Sequence, residues 1–267
     1  MSLSGASAAS ARNSVGFPVR LGLFGARGRM GQLVQATVAA HPQLTLVRTL
    51  GRGEPGDFHD CAVVIDFSVA GATADLVGRL GDAALVTGVT GRTPAQAQHV
   101  AAQAERAPVL AAANFSVGVA VLAELVRQAA AALGPAFDIE VFELHHRHKA
   151  DAPSGTALRL AAAAADGAGL PWPAARALRD GVGVRGDGEV GLAAARGGDV
   201  VGEHTVFLLG PAERIELTHR ATDRSVFAHG ALRAAAWLAG QAPGIYPVEA
   251  WLADGMRAAA RSTTASV

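Results

Sequence analysis

Through its first half the chain repeats one pattern: a short apolar run, a polar or glycine-containing break, then apolar residues at helical spacing. Residues 19–24, 45–50, 62–66, 84–88 and 109–113 have the length and composition of buried strands. Leu33, Val34, Thr37 and Val38 mark a helix behind the first, residues 69–80 a helix behind the third, and residues 116–133 a helix behind the fifth, with Asn114 as a candidate cap. Thr93-Pro94-Ala95-Gln96, behind the fourth, has the form of a capping box with proline at the first helical position. This alternation predicts an α/β fold on a mostly parallel sheet.

The second half is patterned differently. Val141, Phe142 and Leu144 read as the end of a buried strand, and the Ala/Leu run at 157–165 as a helix. Residues 191–196, 200–209 and 214–220 then read as strands with no helix between them, and Gly197-Gly198 predicts a hairpin joining the first two. Arg214, Glu216 and Arg220 alternate with Ile215, Leu217 and His219, as in a sheet with one covered face. A helix of the same domain or a second subunit would cover it. Residues 172–187, rich in Pro, Gly and Arg, read as loop, and 225–238 as a helix that rejoins the first domain.

Glycines at 25, 28 and 31 fall between the first strand and its helix, within Gly25-Ala26-Arg27-Gly28-Arg29-Met30-Gly31. In that context they permit a tight turn, close backbone approach to a pyrophosphate and helix–strand contact, which predicts a Rossmann-like dinucleotide site. Gly22, inside the strand, reads as a packing residue. At the end of the second strand, where such folds carry a ribose-binding acid, the chain has Gly51-Arg52 and no carboxylate until Glu54. Arg52, with Arg48 or Arg27 beside it, suits a 2′-phosphate, so NADPH is the expected cofactor and NADH a possible one. The carboxyl-end loops at 66–68, Gly88-Val89-Thr90 and Ala112-Ala113-Asn114-Phe115 are expected on the nicotinamide side.

Proton-carrying groups concentrate in Glu143-Leu-His-His-Arg-His-Lys-Ala-Asp-Ala-Pro-Ser-Gly-Thr156, at a strand-to-helix crossing. Ser154, Gly155 and Thr156 would present helix-start amides to a carboxylate or phosphate. His145, His146 and Lys149 are the candidate proton donors and charge partners. A solvated basic loop and a metal site built on His145, His146 and His148 are the competing readings. Adjacent strand residues face opposite ways and no cysteine lies nearby, which disfavours the metal.

Composition narrows the classes. Lys+Arg and Asp+Glu are equal at 23 each, so no global field recruits nucleic acid or an anionic membrane. No uninterrupted apolar segment approaches the roughly 20 residues of a membrane span. A single cysteine, Cys61, excludes an internal disulfide and reads as a small buried hydrophobe. Residues 1–18 lack the apolar core of a secretory signal and read as a flexible tail, with a transit peptide as the weaker alternative. A cytoplasmic protein without membrane or nucleic-acid partners is expected.

The glycine turn, Ala112-Ala-Asn-Phe-Ser-Val-Gly118, the 143–156 stretch and Arg196-Gly-Gly-Asp-Val-Val-Gly-Glu-His204 together resemble the dihydrodipicolinate reductase family of lysine biosynthesis. The resemblance runs from about residue 19 to 237. It implies a Rossmann-like dinucleotide-binding domain at 19–115 and 225–267, and an α+β substrate and oligomerisation domain with a mainly antiparallel sheet at 116–224. It implies NAD(P)H-dependent reduction of a small cyclic dicarboxylate by a homotetramer. By the same resemblance His145 is the general acid, Lys149 a second proton donor, His146 a substrate contact, and Gly155 and Thr156 the carboxylate-binding amides. The family often has an acid where Gly51 stands. Rival readings are another NAD(P)-dependent amino-acid or semialdehyde dehydrogenase, a Schiff-base lysine at 149, and a catalytically inactive nucleotide sensor.

Overall fold

The computed structural model describes residues 18–248, 250, 251 and 254; the expected tail at 1–18 lies outside them except for Pro18. The strands are β1 (Val19–Phe24), β2 (Leu44–Leu50), β3 (Val63–Asp66), β4 (Ala84–Thr87), β5 (Pro108–Ala111), β6 (Asp138–His145), β7 (Arg176–Leu178), β8 (Val190–Arg196), β9 (Gly202–Gly210), β10 (Glu213–Ala221) and β11 (Gly244–Tyr246). The helices are α1 (Arg29–Thr37), α2 (Thr73–Leu80), α3 (Pro94–Ala104), α4 (Val117–Leu133), α5 (Gly155–Ala168) and α6 (Ser225–Leu238). They fall into two compact units that meet in the chain at Ala112/Ala113 and Phe227/Ala228, so the first unit is built from both sides of the second.

The first unit is a parallel sheet in the order β11-β5-β4-β3-β1-β2. Its central strands are buried on both faces, which is why they read as continuous apolar runs rather than alternating ones. Phe24, Phe58, Leu76, Leu80, Leu85 and Val109 form part of its core. Gly22 is a packing residue, because a Cβ there would lie 2.6 Å from the Phe58 ring. The capping box forms as its residues predict: Thr93 N donates to Gln96 Oε1 at 2.8 Å and Gln96 N to Thr93 Oγ1 at 3.3 Å. Cys61 is buried, and burial pushes its thiol up to about 12.

The second unit is a mixed sheet, β10-β9-β6-β8-β7, whose inner face packs with α4 and α5 around Leu122, Val126, Val141, Leu160, Val206 and Leu208. Three details differ from the sequence reading. β8 and β9 do not form a hairpin: β6 lies between them, parallel to β8 and antiparallel to β9. Gly197-Gly198 instead braces the loop after β6, with Gly197 N donating to His145 O and Arg147 N to Gly198 O. The loop at 172–187 contains the short edge strand β7. Ser116, not Asn114, caps α4; Asn114 accepts from Ser116 N at 2.7 Å and donates to Thr156 Oγ1 at 3.0 Å.

α4, continued to Ala136, is the one helix among the described residues long and apolar enough to span a membrane by length and composition alone. Arg127 and Gln128 each donate to Glu124 on it, while Leu122, Val126 and Ala130 belong to the core. It serves here as a core helix.

Candidate active site

The inner face of β6 carries Ile139, Val141, Glu143 and His145, all buried, whereas Phe142 is 40% exposed. Period-two alternation therefore runs through the odd positions, so of the three residues read as a buried strand end Val141 is buried, Leu144 is half-buried and Phe142 is exposed. A carboxylate can continue an apolar face only if donors replace its water. Glu143 is fully buried and receives a fork from Arg196, two bonds of 2.8 Å, together with the Ser154 N–H at 3.1 Å and His145 Nδ1. Burial opposes its charge, but the hydrogen bonds from His145 and Arg196 outweigh burial and hold the carboxyl at about 2. An ionised Glu143 accepts only, so Nδ1 of His145 carries the hydrogen and Nε2 is the nitrogen left for proton exchange. Nε2 lies against β9, where a Cβ on Gly202 would come within 2.9 Å of it.

The same carboxylate reaches the start of α5. Ser154 is its N-cap; its hydroxyl receives Ala157 N at 3.1 Å and stands 3.1 Å from His204 Nε2. With Ser154 N on Glu143, the cradle is narrower than the three amides expected. Only the Gly155 and Thr156 amides remain open among the described residues. Gly155 is exposed and Thr156 is positioned by Asn114.

His204 faces Glu143 across β6 and β9, with its ring 5.1 Å from that of His145. Burial, then the neighbouring His145, push its pKa down to about 3, so it is neutral. Lys149 sits on the loop after β6, its Nζ bonded to both oxygens of Asp151 at 2.8 and 2.9 Å. Asp151 is in turn tied to Arg196 through its carbonyl oxygen at 2.6 Å. His146 and His148 tilt toward each other at 6.3 Å between centroids while His145 turns to Glu143, so the three imidazoles do not converge.

In the first unit, Gly25 takes φ +82° and a Cβ there would meet Phe67 at 2.8 Å; at Gly31 it would meet Gly25 O at 2.3 Å. Gly28 is the N-cap of α1 and provides no side-chain cap. These are the clearances and open amides that a pyrophosphate requires, so Gly25, Ala26, Arg27, Gly28, Arg29 and Met30 fit a dinucleotide. At the carboxyl ends of β3 and β4, Asp66 is buried and accepts from Ser68 N, Ser68 Oγ and Thr87 Oγ1 at 2.9, 2.6 and 2.9 Å. Arg92 holds Thr87 Oγ1 and Val89 O at 2.6 and 2.8 Å, which fixes the loop containing Gly88, Val89 and Thr90. Of the three arginines considered for the 2′-phosphate, Arg48 pairs with Asp60 at 3.2 Å and Arg27 with Glu54; Arg52 is exposed at the turn.

Glu143, Arg196, His204 and Asp151 lie inside the motifs, but residue type and spacing give them no role. The available signal was the spacing Ile139, Val141, Glu143, His145, a strand face that changes from apolar to charged without changing side.

Comparison with known proteins supplies the lineage. The family models described as dihydrodipicolinate reductase, N-terminus and C-terminus, match residues 19–115 and 118–252. A 4-hydroxy-tetrahydrodipicolinate reductase of Anaeromyxobacter dehalogenans is 47% identical over 83% of the chain and 93% of that protein. One of Zymomonas mobilis is 44% identical over 86% and 96%. Among solved structures, a dipicolinate-bound dihydrodipicolinate reductase from Paenisporosarcina shares the fold at TM-score 0.67 and 21% identity, over 86% of this chain and 98% of that one.

Proposed function

The chain belongs to the dihydrodipicolinate reductase family, and we propose from that premise how its residues carry out NAD(P)H-dependent reduction of 4-hydroxy-tetrahydrodipicolinate, with loss of water. The observation that carries the reading is one buried carboxylate, Glu143, bonded to His145 and to the first residue of the α5 cap. It locks a proton donor to an anion cradle, so a substrate carboxylate held by Gly155 and Thr156 lies in a fixed relation to Nε2 of His145.

The nicotinamide, when bound, supplies the hydride. His145 donates the proton through Nε2 as general acid, since Nδ1 is engaged. Lys149 contributes a second proton or positive charge when substrate displaces Asp151, and His146 contacts the substrate. Gly25 to Met30, Gly88 to Thr90 and Ala112 to Phe115 seat the cofactor, and Arg52 favours NADPH by meeting the 2′-phosphate. The substrate is a small dicarboxylate. The family suggests a homotetramer joined through the sheet of the second unit, working in the cytoplasm, and the exposed Phe142 and Ile215 on that sheet support such a contact.

The test supplies enzymatically generated substrate with NADPH and follows loss of the reduced nicotinamide absorbance. Turnover is expected. Nucleotide binding without turnover would instead identify a sensor.

A further inference from the structure

β2 ends at Leu50 beside the carboxyl end of β1, where the glycine turn begins, and the next residue is Gly51 in place of an acid. We infer that Glu54 supplies the missing ribose-binding carboxylate and thereby sets the balance between NADH and NADPH. Residues 51–54 close on themselves through Glu54 N to Gly51 O at 3.3 Å, with Gly53 at φ +73°. The turn brings the Glu54 side chain back to the strand end: Oε2 receives the Gly51 N–H at 2.5 Å, and Oε1 pairs with Arg27 of the glycine turn. Gly51 makes this possible, since a Cβ on it would press at 3.3 Å on Arg27 Cδ, Arg27 Nε and Glu54 Cδ.

The position is held from a second side. Arg79 of α2 donates to Glu54 O at 2.6 Å and Gly56 O at 3.3 Å, and is itself fixed by Asp75 at 2.7 Å. The carboxylate thus stands at the strand end that an acid at position 51 would have occupied, reached from three residues further along.

Chemistry then gives the direction. An ionised carboxylate accepts hydrogen bonds from the hydroxyls of an unphosphorylated adenosine ribose and repels a 2′-phosphate. Pairing also engages Arg27, a cation that would otherwise meet that phosphate. Glu54 therefore opposes Arg52: one residue admits NADH, the other draws NADPH.

The test is a binding titration without turnover, following the nicotinamide fluorescence of NADH and of NADPH with the wild-type protein, Glu54→Gln, Glu54→Ala and Arg52→Ala. The two Glu54 variants should bind NADH about 10-fold more weakly, the loss of a charge-assisted hydrogen bond, and NADPH as well as or better than wild type. An NADPH/NADH affinity ratio within about twofold of wild type in both would overturn the inference. It rests on the glycine turn as the seat of the cofactor, and that premise fails separately if the wild-type protein binds neither nucleotide. Arg52→Ala, expected to weaken NADPH alone, tests the arginine by itself.

Discussion

Two glutamates hold basic partners in this molecule under opposite conditions. Glu143 is fully buried, with four donors around it, whereas the Glu54 side chain is 29% exposed and its partner Arg27 81% exposed. In the first case the surroundings exclude water, so removing the carboxylate strands an arginine and a histidine. In the second, solvent screens the pair and replaces it when broken. The difference separates two placements: the buried carboxylate is bound into the packing, while the partly exposed one is placed where it could act on a ligand without bearing on the fold.

The sharpest way to test that contrast is at the groups Glu143 organises. His145→Ala and Lys149→Ala should each lower kcat by roughly 10²- to 10⁴-fold with cofactor affinity nearly intact. Wild-type turnover in either variant removes that residue from the mechanism. Glu143→Ala should cost about 3–5 kcal/mol in denaturant unfolding, the penalty of an uncompensated buried partner. A loss no larger than that of a surface substitution would place Glu143 in the same class as Glu54.

Acid titration gives the next largest effect. The folded pKa of His204 is depressed from 6.5 to about 3, so the unfolded chain takes up the proton first; its contribution is complete above pH 6.5 and fades as pH falls toward 3. That of Glu143, depressed from 4.5 to about 2, is complete above pH 4.5 and is lost between those values. Tm should therefore fall from pH 6.5 downward and more steeply below 4.5. His204→Gln should shrink the first phase, to which His41 and His219, also lowered by burial, contribute as well, by at most about 1.4 kcal/mol per pH unit; a variant whose Tm profile parallels the wild type refutes the buried neutral histidine. Smallest of all, Glu54→Ala should leave Tm unchanged while altering nucleotide preference, and a clear drop in Tm would mean that the turn is structural.

What could be read in the sequence was local. The glycine turn, the Thr93–Gln96 capping box and the parallel strands depend on residues within a few positions of each other, and they stand as expected. The environment of Glu143 depends on register across three strands and on a cap eleven residues away, which no local period reports. Gly197-Gly198 misled for the same reason: two glycines between strands are a hairpin signal only if the strands are neighbours, and β6 had taken the place between them. Glu54 is visible in the sequence as the first carboxylate after Gly51, but a turn that folds a side chain back on its own strand end shortens the distance that sequence spacing measures.

The position of β6 also constrains the order in which the molecule can be assembled. Both of its strand partners, β8 and β9, are synthesised after the complete α5 helix, so Glu143 emerges well before the Arg196 that neutralises it. Until Val190–Arg196 has left the ribosome, the strand bearing the acid has two unsatisfied edges and an ionised group without its arginine, and one edge stays open until β9 follows. Such non-local pairing slows folding and lengthens the time an edge is open to other chains. A nascent chain arrested before Gly202 should accordingly hold a finished nucleotide sheet as far as β5 beside a second unit that has not yet closed.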